Sequence, residues 1–165
     1  MKLQKALVPF LLLGVVVLSF AACGGKAAGI GDLPVYTGAV ELKAGDSAIG
    51  NTLANNTNQD AAMRKAMGAG GSTVQRGFTL PTDATWDTVK AFYEKELKAS
   101  GWTSGLGGVA GGMFDVNSVM NTANQGNKMA QTEIFSKGKQ TLTLLMTTNP
   151  IKTEEKTLIL SLSTR

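Results

Sequence analysis

The chain has no histidine and a single cysteine, Cys23, in 165 residues. Without histidine it lacks the commonest general base and the commonest metal ligand. A single cysteine allows no internal disulfide, so stability has to come from packing. Patterned carboxylates are also missing. Glu154-Glu155 and Asp83/Asp87 have neither a histidine beside them nor the alternating acidic loop of a calcium site, and they read as solvated surface. Asp87 also suits the first turn of a helix. Two further motifs lack their context. Gly105-Leu106-Gly107-Gly108-Val109-Ala110 has the spacing of a dinucleotide-binding turn. Only Trp102 to Ser104 precede it, and Gly111-Gly112 interrupt the helix start it needs, so it reads as a flexible loop. Ser136-Lys137-Gly138-Lys139 has the spacing of a serine acyl-enzyme motif but falls on a hairpin, without the partner motifs. No catalytic residue, cofactor or metal is implied, and the reading is non-enzymatic.

The sequence does contain one long apolar run. Residues 6–22 carry no charge, Leu11 to Leu18 are almost entirely Leu and Val, and Lys2 and Lys5 lie just ahead. Phe20-Ala21-Ala22 then lead into Cys23. A basic start, a short apolar middle and small residues before a cut mark a secretory signal. A membrane-spanning helix is the alternative. Pro9, Gly14, the small Ala21-Ala22 pair and the absence of a basic cluster after Gly24-Gly25 argue against it. The layout resembles a bacterial lipoprotein signal peptide, although Phe20 stands where such signals usually carry Leu. The resemblance implies that 1–22 is removed and that Cys23 is lipidated. The protein would be exported and anchored to a bacterial membrane, facing the periplasm or the cell exterior. Lys2 and Lys5 would leave with the signal, so 16 basic residues become 14 against 12 acidic ones. That net charge of about +2 gives no reason to expect a nucleic-acid partner.

After Cys23, residues 23–32 are rich in Gly and Ala and read as a flexible tether with a reach of roughly 15–18 Å. Residues 33–165 form one domain's worth of chain. A turn at Thr37-Gly38 precedes a short edge strand. Ala48, Ile49 and Leu53 are helically spaced. An Asn-rich patch (Asn51, Asn55, Asn56, Asn58) follows, and a helix from Asp60 to Met67 is expected, with Asn58 as its cap and Gly68 as its stop. Thr73 to Leu80 alternates as a strand. Thr85 caps a helix over 86–99 that turns Val89, Phe92, Tyr93 and Leu97 to one side, and Gly101 stops it. Met113 to Met120 reads as a short helix, and Asn121 to Asn127 as a polar stretch. Ala130 to Ser136 and Gln140 to Thr147 form a hairpin across Lys137-Gly138-Lys139. Thr157 to Ser163 is the last strand. The economical solution is an α+β fold: an antiparallel sheet of about four to five strands with one main helix on a face (a β-α-β-β-β core), plus two helical or loop insertions at 46–72 and 105–129.

Tyr36-Thr37-Gly38-Ala39 resembles a Tyr-Pro-Gly-Ala signature, with Thr37 in the proline position. Phe92-Tyr93, Leu97 and Gly101-Trp102 resemble the F-Y-x-x-x-L-x-x-x-G-W core of small secreted α/β domains in bacterial lipoproteins. The resemblance covers roughly 33–165 and implies the fold. Met63, Met67, Met113, Met120 and Met129 all fall in the two insertions. Methionine fills irregular gaps and suits adaptable surfaces, so these residues are candidates either for core or for a partner or ligand surface. Together these features point to a lipid-anchored cell-envelope protein with a binding or scaffolding role at the membrane surface. Its partners would be the membrane, through acylated Cys23, and an envelope protein or an apolar ligand. A carrier of an apolar small ligand is the alternative from another class, and an envelope-polymer hydrolase is the third.

Overall fold

Strict alternation sets the middle of the sheet. Leu142, Leu144 and Met146 on β5 (Gln140–Thr148) pair with Leu162, Leu160 and Leu158 on β6 (Lys156–Thr164), so all six side chains share one face. The computed structural model describes residues 27–45, 47–68, 70–106 and 116–165. It adds β1 (Val40–Leu42), β2 (Ser72–Thr79), β3 (Thr103–Ser104) and β4 (Ala130–Lys137). The spatial order is β1-β2-β6-β5-β4-β3, and every pairing is antiparallel. The fold is therefore α+β, as expected, but the sheet has six strands rather than four to five. The additional pairing is short: β3 is two residues long and carries no periodicity.

Helix α2 (Trp86–Ala99) starts where Thr85 accepts a hydrogen bond from the Thr88 N–H. It ends at Gly101, whose φ of 81° is the left-handed geometry glycine adopts without cost. Its buried face is Trp86, Val89, Tyr93 and Leu97, laid on Phe78, Phe135 and the leucines of β5 and β6. Phe92 stands at the border of that face, half-buried and edge-on to both Tyr36 and Tyr93. The turn at Thr37-Gly38 is present. The Ala39 N–H donates to the Tyr36 carbonyl, with Gly38 at φ 78° in the third position, as a type II turn requires.

The opposite face is covered over β1 and β2 by α1 (Ala48–Ala66), a single helix of 19 residues. The break expected at the asparagines does not occur. Ser47 caps the helix through the Gly50 N–H. Asn51, Asn55, Asn56 and Asn58 all face solvent, where their weak helix propensity costs only tenths of a kcal/mol each. Leu53, which is buried, holds the helix to the sheet by filling the space above Gly77. A Cβ on Gly77 would run into the Leu53 side chain and rest in ordinary contact with Leu42. Gly77→Ala is expected to cost about 2 kcal/mol through overpacking, and Leu53→Ala should relieve part of that in the double variant. Equilibrium urea unfolding of the three variants would check this.

Helix α3 (Val116–Gly126) overlaps the short helix expected over 113–120 and continues through 121–126, expected as a polar stretch. It flanks the free edge of β4. There the Asn124 side chain accepts from the Thr132 N–H (2.8 Å) and donates to the Thr132 carbonyl (2.7 Å), as a neighbouring strand would. The Gly105 N–H satisfies the Ile134 carbonyl. The edge is thereby closed against further strand pairing.

Candidate functional site

The N-terminal part of the described chain is a strap across the core face. Gln140 is buried at the start of β5, and it binds both polar groups of one peptide residue. Its Oε1 accepts from the Ala28 N–H (2.8 Å), and its Nε2 donates to the Ala28 carbonyl (2.7 Å). Ala28, Ile30, Leu33 and Tyr36 then pack against the core, and Tyr36 reaches Thr88 and Phe92 of α2. Further along, Arg76 donates from Nη1 to the Ile30 carbonyl and from Nε to Glu41 Oε1 (2.7 Å), while its guanidinium lies over the Phe78 ring. The hydrogen bond from Arg76 holds the Glu41 carboxyl below its ordinary value and raises Arg76. This contribution to stability is therefore present at neutral pH and is lost only as pH falls through the lowered Glu41 value. The expected tether 23–32 is thus seated on the sheet from Ala28, and Ile30–Asp32 is a 3-10 turn. Cys23 itself lies outside the described residues.

A second polar cluster lies between α2, β3 and α3. Glu133 sits in the inward phase of β4, and its side chain is 4% exposed. Lys90 Nζ donates to Glu133 Oε2 (2.8 Å) and to Asn121 Oδ1 (3.1 Å), and Ser104 Oγ donates to Glu133 Oε1 (2.8 Å). Both carboxylate oxygens are therefore occupied. The arrangement joins four elements, α2, β3, α3 and β4, and offers no free base to a substrate.

The structure does not gather the methionines. Met63 and Met67 stand one turn apart at the C-terminal end of α1, 56% and 66% exposed. Met129 precedes β4 at the other end of the sheet, also exposed. Met113 and the side chain of Met120 lie outside the described residues, as do Gly107 to Ala110 of the glycine-rich motif. Ser136 is buried in β4 beside Thr103 (3.2 Å), and Lys139 is exposed in the hairpin turn. Asp83, Asp87 and Glu154 are exposed, and Glu155 binds Lys152 and Asn149. Cavities of about 300 to 410 Å³ are open surface depressions, one of them between α2 and α3 and lined by Trp86, Lys90, Asn121 and Lys128. Among the described residues, no three His, Cys, Asp or Glu side chains converge, and no helix is long and apolar enough to cross a membrane.

Motif reading passed over Gln140, Glu133, Arg76 and Asn124. Gln140 did leave a signal, as a polar residue in the inward phase that Leu142, Leu144 and Met146 otherwise line; Glu133 and Arg76 stand out less, because the inward phases of β4 and β2 also carry Gln131 and Ser72. Asn124 left none, because its role depends on where α3 docks. The class these features define is an antiparallel α+β domain with a strapped N-terminus. Comparison with protein-family models, curated proteins and solved structures finds no match.

Proposed function

We propose that this is a lipid-anchored protein of the bacterial cell envelope that binds or scaffolds at the membrane surface without catalysis. The observation that carries the reading is the run from Lys2 to Cys23: two lysines, an uncharged apolar stretch, then Phe20-Ala21-Ala22 and the chain's one cysteine. The strap supports it, since Ala28, held on the sheet by Gln140, stands only five positions beyond Cys23. The sheet-to-helix core is filled by leucine and aromatic side chains, which favours contact at a surface over carriage of an apolar ligand inside. The motif resemblance to secreted domains of bacterial lipoproteins points the same way.

Each buried lipid CH2 contributes about 0.8 kcal/mol, and two or more chains make anchoring stable. Cys23→Ser should therefore release the protein from the membrane fraction or leave the signal uncleaved. Mass spectrometry of the amino-terminal peptide would check the acylation directly. A Ser variant that remains membrane-bound with its signal removed would overturn the anchor.

A further inference from the structure

The strand register gathers one set of charges at one end of the sheet. Ser72 pairs with Thr164, Gln140 with Thr164, and Lys137 with Gln140. The start of β2, the end of β6 and the tip of the β4–β5 hairpin therefore share an end. Helices α1 and α2 also finish there, since α1 leads into β2 and Lys137 Nζ donates to the Ser100 carbonyl just past α2. That end carries Lys65, Lys98, Lys137 and Lys139. Asp60 and Glu96, the nearest carboxylates on the two helices, lie further from their ends, and Glu96 pairs with Lys95. Lys65, Lys98 and Lys139 are exposed and form no ion pair among the described residues. At the other end, Lys152 is paired with Glu155, and Lys156 donates to the Thr82 and Ala84 carbonyls. Lysines in the last turn of a helix offset its dipole. That accounts for Lys65 and Lys98 but not for Lys139.

Ala28 of the strap sits at this same end, because Gln140 holds it and also reaches Thr164 Oγ1 (3.3 Å). The five residues from Cys23 to Ala28 span at most about 18 Å. We propose that this lysine-bearing end is the membrane-facing surface of the protein and that it rests on anionic lipid headgroups. The inference rests on the anchoring of Cys23. The anchor brings the end near the bilayer, and the unpaired lysines then fix its orientation, since each basic residue near an anionic surface is worth about fivefold in association. The attraction acts within a Debye length of about 8 Å, so salt weakens it.

The test uses the full acylated chain in vesicles of phosphatidylcholine alone or enriched in phosphatidylglycerol. Amine-reactive labelling is read at each lysine by mass spectrometry. Lys65, Lys98 and Lys139 should label about fivefold more slowly on the anionic vesicles at low salt, and high salt should restore their rate. Lys128 and Lys152 should not change. Equal labelling at both ends, or protection of Lys128 and Lys152 instead, overturns the proposal. Flotation separates the two ideas. Failure to float with phosphatidylcholine vesicles defeats the anchor alone. Salt-sensitive flotation with the anionic vesicles that is lost in Lys65→Gln/Lys98→Gln/Lys139→Gln would still support the basic end. Its absence in the parent chain would defeat that too. Circular dichroism confirms that the triple variant is folded.

Discussion

Lys90→Met is expected to destabilise the protein by about 3 kcal/mol, and adding Glu133→Leu to it should recover most of that loss. Glu133 is almost wholly enclosed, and Lys90 is its cationic partner at 2.8 Å. Removing one member of a buried pair leaves an uncompensated charge, which typically costs about 3–5 kcal/mol. The lower end applies here because the Lys90 side chain keeps 22% of its surface in contact with water. The pair itself offers far less net stability, since both ions had to be desolvated to form it. Replacing both partners with apolar side chains therefore approaches neutrality. Ser104 and Asn121 lose a partner in the double variant and hold the recovery below completeness. A double-mutant cycle in urea would measure the coupling. Additive losses at the two positions would show that the charges act independently.

Tyr93→Phe should leave stability nearly unchanged at neutral pH and protect the protein in alkali. Tyr93 is fully buried, and its hydroxyl has no hydrogen-bond partner of good geometry. Losing an unpartnered hydroxyl costs little. Burial pushes the phenol up to about 12, against smaller opposing effects of the Tyr36 peptide and Arg76. The sign follows from proton counting. Between pH 10 and about 12 the unfolded chain has released this proton and the folded chain still holds it, so stability falls as pH rises. Two pH units correspond to about 3 kcal/mol. Unfolding curves across this range should show the wild type losing roughly that much more stability than the Phe variant. Parallel losses would mean that Tyr93 ionises at its ordinary value in the folded state.

Most of the sheet was legible because period-two alternation in β2, β5 and β6 exceeds anything local that competes with it, and the turn at Lys137-Gly138-Lys139 ties β4 to β5. The same holds for α2, where Thr85, the Val89-Tyr93-Leu97 spacing and Gly101 all agree. In α1 the local and global signals conflict. The asparagines argued for a break, but Leu53 over Gly77 and the Ser47 cap carry the helix through. For α3 the sequence offered a short helix over 113–120 and a polar stretch after it, and the helix instead continues to Gly126, where Asn124 docks it against the β4 edge.

The amino-acid sequence alone determines the strand and helix phases of the core and the motif that ends in Cys23. These are local patterns, each contained in one short continuous stretch of chain. Tertiary structure decided the rest: β6 placed between β2 and β5, the strap held by Gln140 and Arg76, the burial of Glu133 against Lys90, and the gathering of Lys65, Lys98, Lys137 and Lys139 at one end. Each of these brings together residues far apart in the chain. Sheet register and helix direction set such meetings, and no window of sequence contains both partners.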